Sequence, residues 1–429
     1  MLKLLERTYI SIFRRYPMLL RMALVVLLAE IVFAAVNNFA LSFYIYEDLK
    51  QPMRVVGDII SVFLVAEMLL KFPAGHLSDH YGRRRFASLG IAVCVGTPLA
   101  ICAVPPAVFI ATPVLLYLIL VPVRITDGAG SAALWPPLFA SVPDHVPSAH
   151  RGVAMSVMNT AYLAGLALGP ALASAATKLS LAAGYPAWFG RAPFAMATGM
   201  ALLAACVAWT LPAQDSHGEE RPHKIGGGMP PLRLIAVVLA ITFCNMFATG
   251  VLAPYIAPYL HYVGGAARSD VGFLLLLLVA PALVLGMPIG HLTDRWEKRR
   301  VVQAALWATA LGLWAVPLAR TLPQMLGAGS LVMLGFMFGL PAWLSLITEL
   351  APDVGHGKTM GVMATAQGVG AFLGPSVGGR LWGLDPRYPF YLAAAVLTCS
   401  AVIAAMCIQP PRAGEAGRKG ETLIGSHAD

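Results

Sequence analysis

Twelve apolar runs of roughly 20 residues punctuate the 429-residue chain, and a helix rising 1.5 Å per residue needs about that length to cross a hydrocarbon core about 30 Å thick. They lie near 22–45, 56–76, 86–106, 110–140, 152–177, 191–211, 233–261, 271–290, 301–320, 325–350, 359–383 and 388–409. With no water in the lipid core, each backbone N–H and C=O must be satisfied inside its own segment, so these runs read as helices and not as strands or loops. Composition agrees, because 58% hydrophobic residues and a mean hydropathy of +0.73 exceed what a soluble chain buries in its own core. The expected fold is an all-α membrane protein of twelve transmembrane helices. The first run continues far past the length of a signal-peptide apolar region and reads as the first span.

A formal net charge of +9 could suit a nucleic-acid binder, but its distribution reads as a topology signal. With the N-terminus inside, about 20 Lys and Arg fall on that side and about 8 on the other. The bias predicts both termini in the cytoplasm of a multi-pass plasma-membrane protein, with membrane lipid around it and no nucleic-acid partner. The six cysteines, Cys94, Cys102, Cys206, Cys244, Cys399 and Cys407, all stand in apolar runs without a CxxC pair. They read as small buried hydrophobes, so no disulfide, metal site or cofactor is expected.

One long polar stretch, "PAQDSHGEERPHKIGGGMPP", interrupts the pattern with Gly, Pro and charges of both signs. It divides the chain into an N-terminal six-helix half (1–211), a cytoplasmic linker (212–231), a C-terminal six-helix half (232–411) and a cytoplasmic tail (412–429). A repeat runs across it. "GHLSDHYGRRR" at Gly75–Arg85 and "GHLTDRWEKRR" at Gly290–Arg300 each follow the second run of their half. "PD" at Pro143–Asp144 returns at Pro352–Asp353, and "GLALGP" at Gly165–Pro170 returns as "GAFLGP" at Gly370–Pro375. The offsets of about 215, 209 and 205 residues keep one order and follow matching helices, as a duplicated six-helix unit would.

These residues make the chain resemble the major facilitator superfamily of transporters over nearly its whole length. Gly75, Leu77, Asp79, Gly82, Arg83 and Arg84 match that superfamily's loop signature after its second helix. "RITDGAGSA", Arg124–Ala132, resembles its fourth-helix motif, with Asp127 where the family commonly has Gln. "GLALGPALAS" resembles the fifth-helix signature of its proton antiporters: Gly165, Gly169 and Pro170 match, while Ala173 and Ser174 replace a usual Gly pair. The undiluted pattern, Gly370, Gly374, Pro375, Gly378 and Gly379, stands in the eleventh helix. The resemblance implies two pseudo-symmetric halves that rock about a central pocket, and a monomer is expected.

Gly75 is expected to let the second helix stop and Gly82 to permit a tight turn, while Arg83–Arg85 hold the loop in the cytoplasm. Asp79 can accept from Arg83 one turn on. In the family this carboxylate also meets the start of the eleventh helix, here near Gly357 and Lys358. Asp79, Arg83 and Arg84, with Asp144 as candidate partner of Arg83, therefore read as a latch on the seam between the halves. The repeat predicts a second latch from Asp294, Lys298 and Asp353. Glycines four apart, Gly165 with Gly169 and Gly370 with Gly374, let helices pack closely, and Pro170 and Pro375 are expected to bend them.

An ionisable group at the bilayer centre costs at least ~2.5 kcal/mol, so transport chemistry is sought at Glu30, Glu67, Arg124 and Asp127. Glu30 stands mid-helix, with Asn37 and Asn38 two turns on and no basic residue in its run. A carboxyl in such surroundings favours its protonated form and can load and release a proton as access alternates; the alternative is a structural, hydrogen-bonded acid. Arg124 and Asp127, three apart, either neutralise one another or belong to the proton path. Glu67 and Lys71, four apart, read as a structural pair. Asn37, Asn245, Thr249 and Trp343 are candidate pocket lining, and walls with few charges favour hydrophobic or cationic small molecules over sugars.

The reading is a proton-driven antiporter exporting such a small-molecule substrate. Its alternative is a proton symporter importing a small metabolite or organic anion held by Arg124. A free arginine in the cavity invites anions, and one tied to Asp127 does not. A membrane enzyme is disfavoured, because no nucleophile with its base, metal cluster or phosphate loop appears in the sequence.

Overall fold

The computed structural model describes residues 15–147, 150–211, 232–293, 297–350 and 356–407. Every expected run is helical, and no strand occurs among the described residues. Helix α1 spans Pro17–Ala35 and continues through two wider π-helical turns, Val36–Ala40 and Tyr44–Asp48, on either side of Leu41–Phe43. Next come α2 (Met53–Tyr81), α3 (Arg83–Val93, continued as Gly96–Ala103), α4 (Pro113–Ala140), α5 (Arg151–Ala182) and α6 (Ala192–Trp209). The second half holds α7 (Leu232–Leu252, continued as Ile256–Tyr262), α8 (Arg268–Thr293), α9 (Lys298–Ala315), α10 (Leu322–Leu350), α11 (His356–Trp382) and α12 (Tyr388–Cys407). Among the described residues, nine helices are long and apolar enough to cross a membrane. The linker expected at 212–231, the tail at 412–429, and Asp294 and Asp353 lie outside the described residues.

The interruptions have local causes. Pro98 has no N–H to return to the Cys94 carbonyl, and α3 breaks at residues 94–95. Pro258 likewise offers no N–H to the Pro254 carbonyl where α7 breaks. The Ser42 hydroxyl of α1 donates to that carbonyl instead, at 2.6 Å. Helix α2 ends at Gly82, whose φ of 96° few residues with a side chain adopt. The stop expected at Gly75 is therefore corrected: α2 runs through it, and among the described residues nothing lies within 4 Å of an added β-carbon there. A single glycine costs a helix only about 1 kcal/mol, too little to end one with six residues of helix beyond it.

Packing repeats the duplication. In the first half α1 packs on α5 and α6, α4 on α2 and α3, and α3 on α6. In the second half α7 packs on α11 and α12, α10 on α8 and α9, and α9 on α12. The halves meet where α2 packs on α11 and α5 on α8. At those crossings Gly57 of α2 faces the Pro375 carbonyl, Gly272 of α8 faces the Pro170 carbonyl, and neither has room for a β-carbon. Gly165 and Gly169 seat α5 against the Leu27 and Ile31 carbonyls of α1, while Gly370 seats α11 against the Phe243 carbonyl of α7 and Gly374 packs on Gly250. The departures from the glycine pattern have uses as well. Ser174 accepts from the Gly272 N–H at 2.9 Å across the seam, whereas Gly378 and Gly379 clear space for Tyr255 and the start of α2.

Gly272→Ala is expected to push the Pro170 carbonyl away and part the halves at this end. Spin labels at the exposed residues Tyr185 and Leu384 should then report a longer distance than in the parent protein; an unchanged distance would mean the crossing tolerates a methyl group.

Candidate functional site

The first π-helical turn of α1 decides the arrangement of the first half. Its wider pitch brings Asn37 against α4, where Asn37 Oδ1 accepts from Arg124 Nη2 at 2.6 Å. Arg124 is 1% exposed. Its Nη1 lies 3.6 Å from Asp127 Oδ2, its Nε 3.5 Å from the Ile59 carbonyl, and its guanidinium 4.3 Å from the Phe63 ring centre. Asp127 also accepts from the Thr97 N–H at 3.3 Å. That N–H belongs to the helix start created by the break in α3, where the positive end of the helix dipole suits a carboxylate.

Glu30 is 5% exposed and lies under α5, such that an added β-carbon at Gly165 would stand 2.6 Å from Glu30 Cβ. Its ionisable neighbours are Glu67 of α2 and Tyr162 of α5. Glu67 in turn pairs with Lys71 at 2.8 Å. The acid that has no partner in its own helix thus meets a second acid and a phenol from two other helices. Tyr162, Trp135, Phe33 and Phe63 continue as an aromatic wall, with successive ring centres 5.6, 5.8 and 5.9 Å apart.

Asn245 and Trp343 belong to a separate group in the second half. They line a small recess among α7, α9, α10 and α11, and no described residue of its lining is ionisable. Trp343 donates to Thr242 Oγ1 at 3.1 Å and Asn245 Nδ2 to the Ile241 carbonyl at 2.8 Å. Thr249 is exposed, and its hydroxyl donates to the Asn245 carbonyl at 2.9 Å.

At the end of the molecule that carries the Gly75–Arg85 loop, Asp79 Oδ1 accepts from Arg83 Nε at 3.0 Å. Arg83 also pairs with Asp144 and donates to the Ala140 carbonyl at 2.6 Å. Arg84 donates to the Trp209 carbonyl and lies 5.5 Å from that indole. In this conformation the cluster ties α2, α3, α4 and α6 together inside one half. Of its expected counterparts, Lys298 opens α9, and Asp294 and Asp353 lie outside the described residues.

The opposite end holds a group the sequence reading left among loop charges. Arg268, 5% exposed, forms two parallel bonds of 2.9 Å to the Asp48 carboxylate and a third of 2.8 Å to Glu47. Its guanidinium sits between the Phe43 and Phe189 rings, 5.0 and 4.9 Å from their centres. His261 Nε2 lies 3.1 Å from Glu47, and the Tyr262 hydroxyl donates to Glu47 at 3.0 Å. Gly190 leaves the space that the Asp48 carboxylate occupies. Lys178 with Asp270 and Arg380 with Asp58 add further ion pairs between the halves at this end. The one sequence signal was positional: acids closing α1 and a base opening α8 are brought to the same end by the repeat.

Two six-helix halves, ionisable groups inside the membrane and a charged cluster joining the halves at one end fit a multi-pass membrane transport protein. The family model of the Major Facilitator Superfamily matches residues 22–240 and 238–427, and the chain belongs to that family. It is similar to Multidrug resistance protein 2 of Bacillus subtilis (strain 168), 23% identical over 358 residues that cover 80% of this chain and 83% of that one. Multidrug resistance protein 1 of the same strain is 22% identical over 363 residues, covering 82% and 87%. The crystal structure of D-xylose-proton symporter shares the fold, with a TM-score of 0.72 at 16% identity over 90% of this chain and 96% of that chain.

Arg268→Ala leaves two half-buried acids without their arginine, which should weaken this junction between the halves by about 2 kcal/mol, or roughly 30-fold in its equilibrium. Amide hydrogen exchange over residues 43–49 and 261–268 is expected to accelerate accordingly. Arg268→Lys, which keeps the charge but loses the fork, should fall between the two.

Proposed function

We propose that the protein is a proton-coupled antiporter of the plasma membrane that exports small apolar or cationic compounds by alternating access, with both termini and the Gly75–Arg85 loop in the cytoplasm. The observation that carries this reading is the engagement of Arg124. Asp127, Asn37, the Ile59 carbonyl and the Phe63 ring occupy its guanidinium, so an imported organic anion would have to displace them all. Glu30 and Glu67, beside an aromatic wall, suit the opposite charge: acids attract a cation, and rings add cation–π and dispersion contacts to its apolar body. The names of the two Bacillus subtilis relatives support export.

Coupling follows from competition for one carboxyl. Ionised Glu30 attracts a cation, and protonated Glu30 does not, so loading a proton on one side releases the compound held there. Rocking of the halves about the α2–α11 and α5–α8 crossings presents the same carboxyl to the two sides in turn. The gate around Arg268 seals the end remote from the Gly75–Arg85 loop. The Lys and Arg bias supports a cytoplasmic position for that loop, and on this reading the conformation is the cytoplasm-facing one. The cluster of Asp79, Arg83, Arg84 and Asp144, with Asp294, Lys298 and Asp353, would latch the opposite state.

Glu30→Gln keeps shape and hydrogen bonding but cannot ionise. In proteoliposomes, pH-driven accumulation of a lipophilic cation is expected to vanish while exchange of substrate for substrate continues. Normal proton-driven accumulation by this variant would pass the coupling role to Asp127.

A further inference from the structure

The cluster around Arg268 contains a histidine whose hydrogen bonds close only when a proton is added. His261 stands one residue before the end of α7. Just beyond it Gly265, at a φ of 71° that favours glycine, turns the chain back, and the Ala266 N–H bonds to the Leu260 carbonyl at 3.1 Å. This turn sets the Ala266 carbonyl 2.6 Å from His261 Nδ1. A carbonyl oxygen only accepts, so Nδ1 carries the hydrogen of that bond. In a neutral imidazole the other nitrogen is then a bare acceptor. That nitrogen, Nε2, lies 3.1 Å from Glu47 Oε1, and an ionised carboxylate is an acceptor too.

Two lone pairs at that separation repel, so the contact holds with one proton between them. An imidazolium donating to the carboxylate satisfies it, and so does a carboxylic acid donating to the imidazole. Both are one proton richer than neutral His261 beside ionised Glu47. The neighbours supply no substitute donor, because the Tyr262 hydroxyl and Arg268 Nη1 already give their hydrogens to Glu47, at 3.0 and 2.8 Å. Charge balance points the same way. Arg268 brings one positive charge against the two carboxylates of Glu47 and Asp48, between the Phe43 and Phe189 rings, where an uncompensated charge is costly. One further proton makes the cluster neutral.

The charged and titratable groups packed about this contact are Glu47, Asp48 and Tyr46 of α1, Tyr262 of α7 and Arg268 of α8. Tyrosine and arginine keep their protons through the neutral range, so the exchange falls on His261 and Glu47. The two come from opposite halves. When the halves part at this end, water replaces each partner and the extra proton is no longer required.

We propose that this junction is a proton-dependent switch: closing it takes up one proton on the His261–Glu47 pair, and opening it releases that proton to the same side of the membrane. The proton does not cross, so the switch biases conformation and leaves accumulation to Glu30. Because the closed state binds the additional proton, closure is favoured in acid and weakens as pH rises. The plain ion pairs at this end, Lys178 with Asp270 and Arg380 with Asp58, have the opposite sense, since acid discharges their carboxylates.

Spin labels at Tyr185 and Leu384, exposed residues of the two halves at this end, test the proposal on the full-length protein in nanodiscs. From about pH 5 to about pH 8 the ratio of short to long label distances is expected to fall, by up to about tenfold per unit where it is steepest, the slope of one proton. His261→Gln presents an amide that donates without an added proton, and Glu47→Gln removes the carboxylate, so each should abolish the step. If one of these variants does not fold, the other decides. Glu30→Gln should retain the step, which separates a failure of the switch from a failure of proton coupling. A ratio that stays constant or rises with pH in the parent protein overturns the proposal. So does a parent-like step in either His261→Gln or Glu47→Gln, or its loss in Glu30→Gln, which would assign the pH response to the acid inside the membrane.

Discussion

The two halves are joined at two contacts in which a helix lies directly on another helix's carbonyl, Gly57 on Pro375 and Gly272 on Pro170. Lipid tails are as apolar as leucine, so association inside a membrane comes from close packing and a few polar bonds rather than from expulsion of water. Removing the β-carbon lets the backbones approach, and weak Cα–H···O contacts then add to dispersion. Ser61 to the Phe372 carbonyl and Ser376 to Asp58, at 2.6 and 2.7 Å, reinforce the α2–α11 crossing. Long side chains that also cross the seam, Lys178 to Asp270 and Arg380 to Asp58, pair at one end of it. It can act as a pivot that stays packed while the ends of the halves part and close.

Against that pivot, two nearly buried arginines do different work. Arg124 and Arg268 each lie against an aromatic ring and each pair with acids. Arg124 draws its partners from α1, α2 and α4, all in one half, so rocking leaves them in place. Arg268 draws its partners from the end of α1 and the Phe189 ring while belonging to α8, so any separation of the halves at that end would break its bonds. A buried ion pair is costly to break, because each ion loses its partner before water reaches it. The site of the pair therefore separates a charge that braces one half from one that ties the two halves together.

What could be read from the sequence was what is local or duplicated. The twelve helices follow from apolar runs long enough to span lipid, and the two-half plan from motifs that return at fixed offsets. A helix end was misplaced because glycine alone does not stop a helix; the positive φ at Gly82 does. The acid at Glu30 looked solitary because a sequence shows one helix at a time, and its neighbours Glu67 and Tyr162 arrive from α2 and α5. The gate was invisible for the same reason, since Asp48 and Arg268 are 220 residues apart and no spacing rule relates them. Asn245 and Trp343 were legible as polar and aromatic groups in apolar helices.

The halves share a plan but divide their chemistry: among the residues described, the buried acids of the first half have no equivalents around the recess of the second. This division bears on how a ligand can drive rocking, since a ligand shifts a conformational equilibrium only by its difference in affinity for the two states. A site confined to one rigid half offers the same contacts in both states and shifts nothing. A site with charge on one half and apolar walls on the other behaves differently, because the two attractions have different reach. Electrostatic attraction falls off slowly in a medium of low dielectric, whereas dispersion is lost within an ångström or so of separation. On the proposed reading, acids of the first half would hold a cationic compound while the halves are apart, and its contacts with the apolar helices of the second half would form only as they come together. Such a ligand would bind the closed arrangement more tightly than the open one, which is the condition for its own transport.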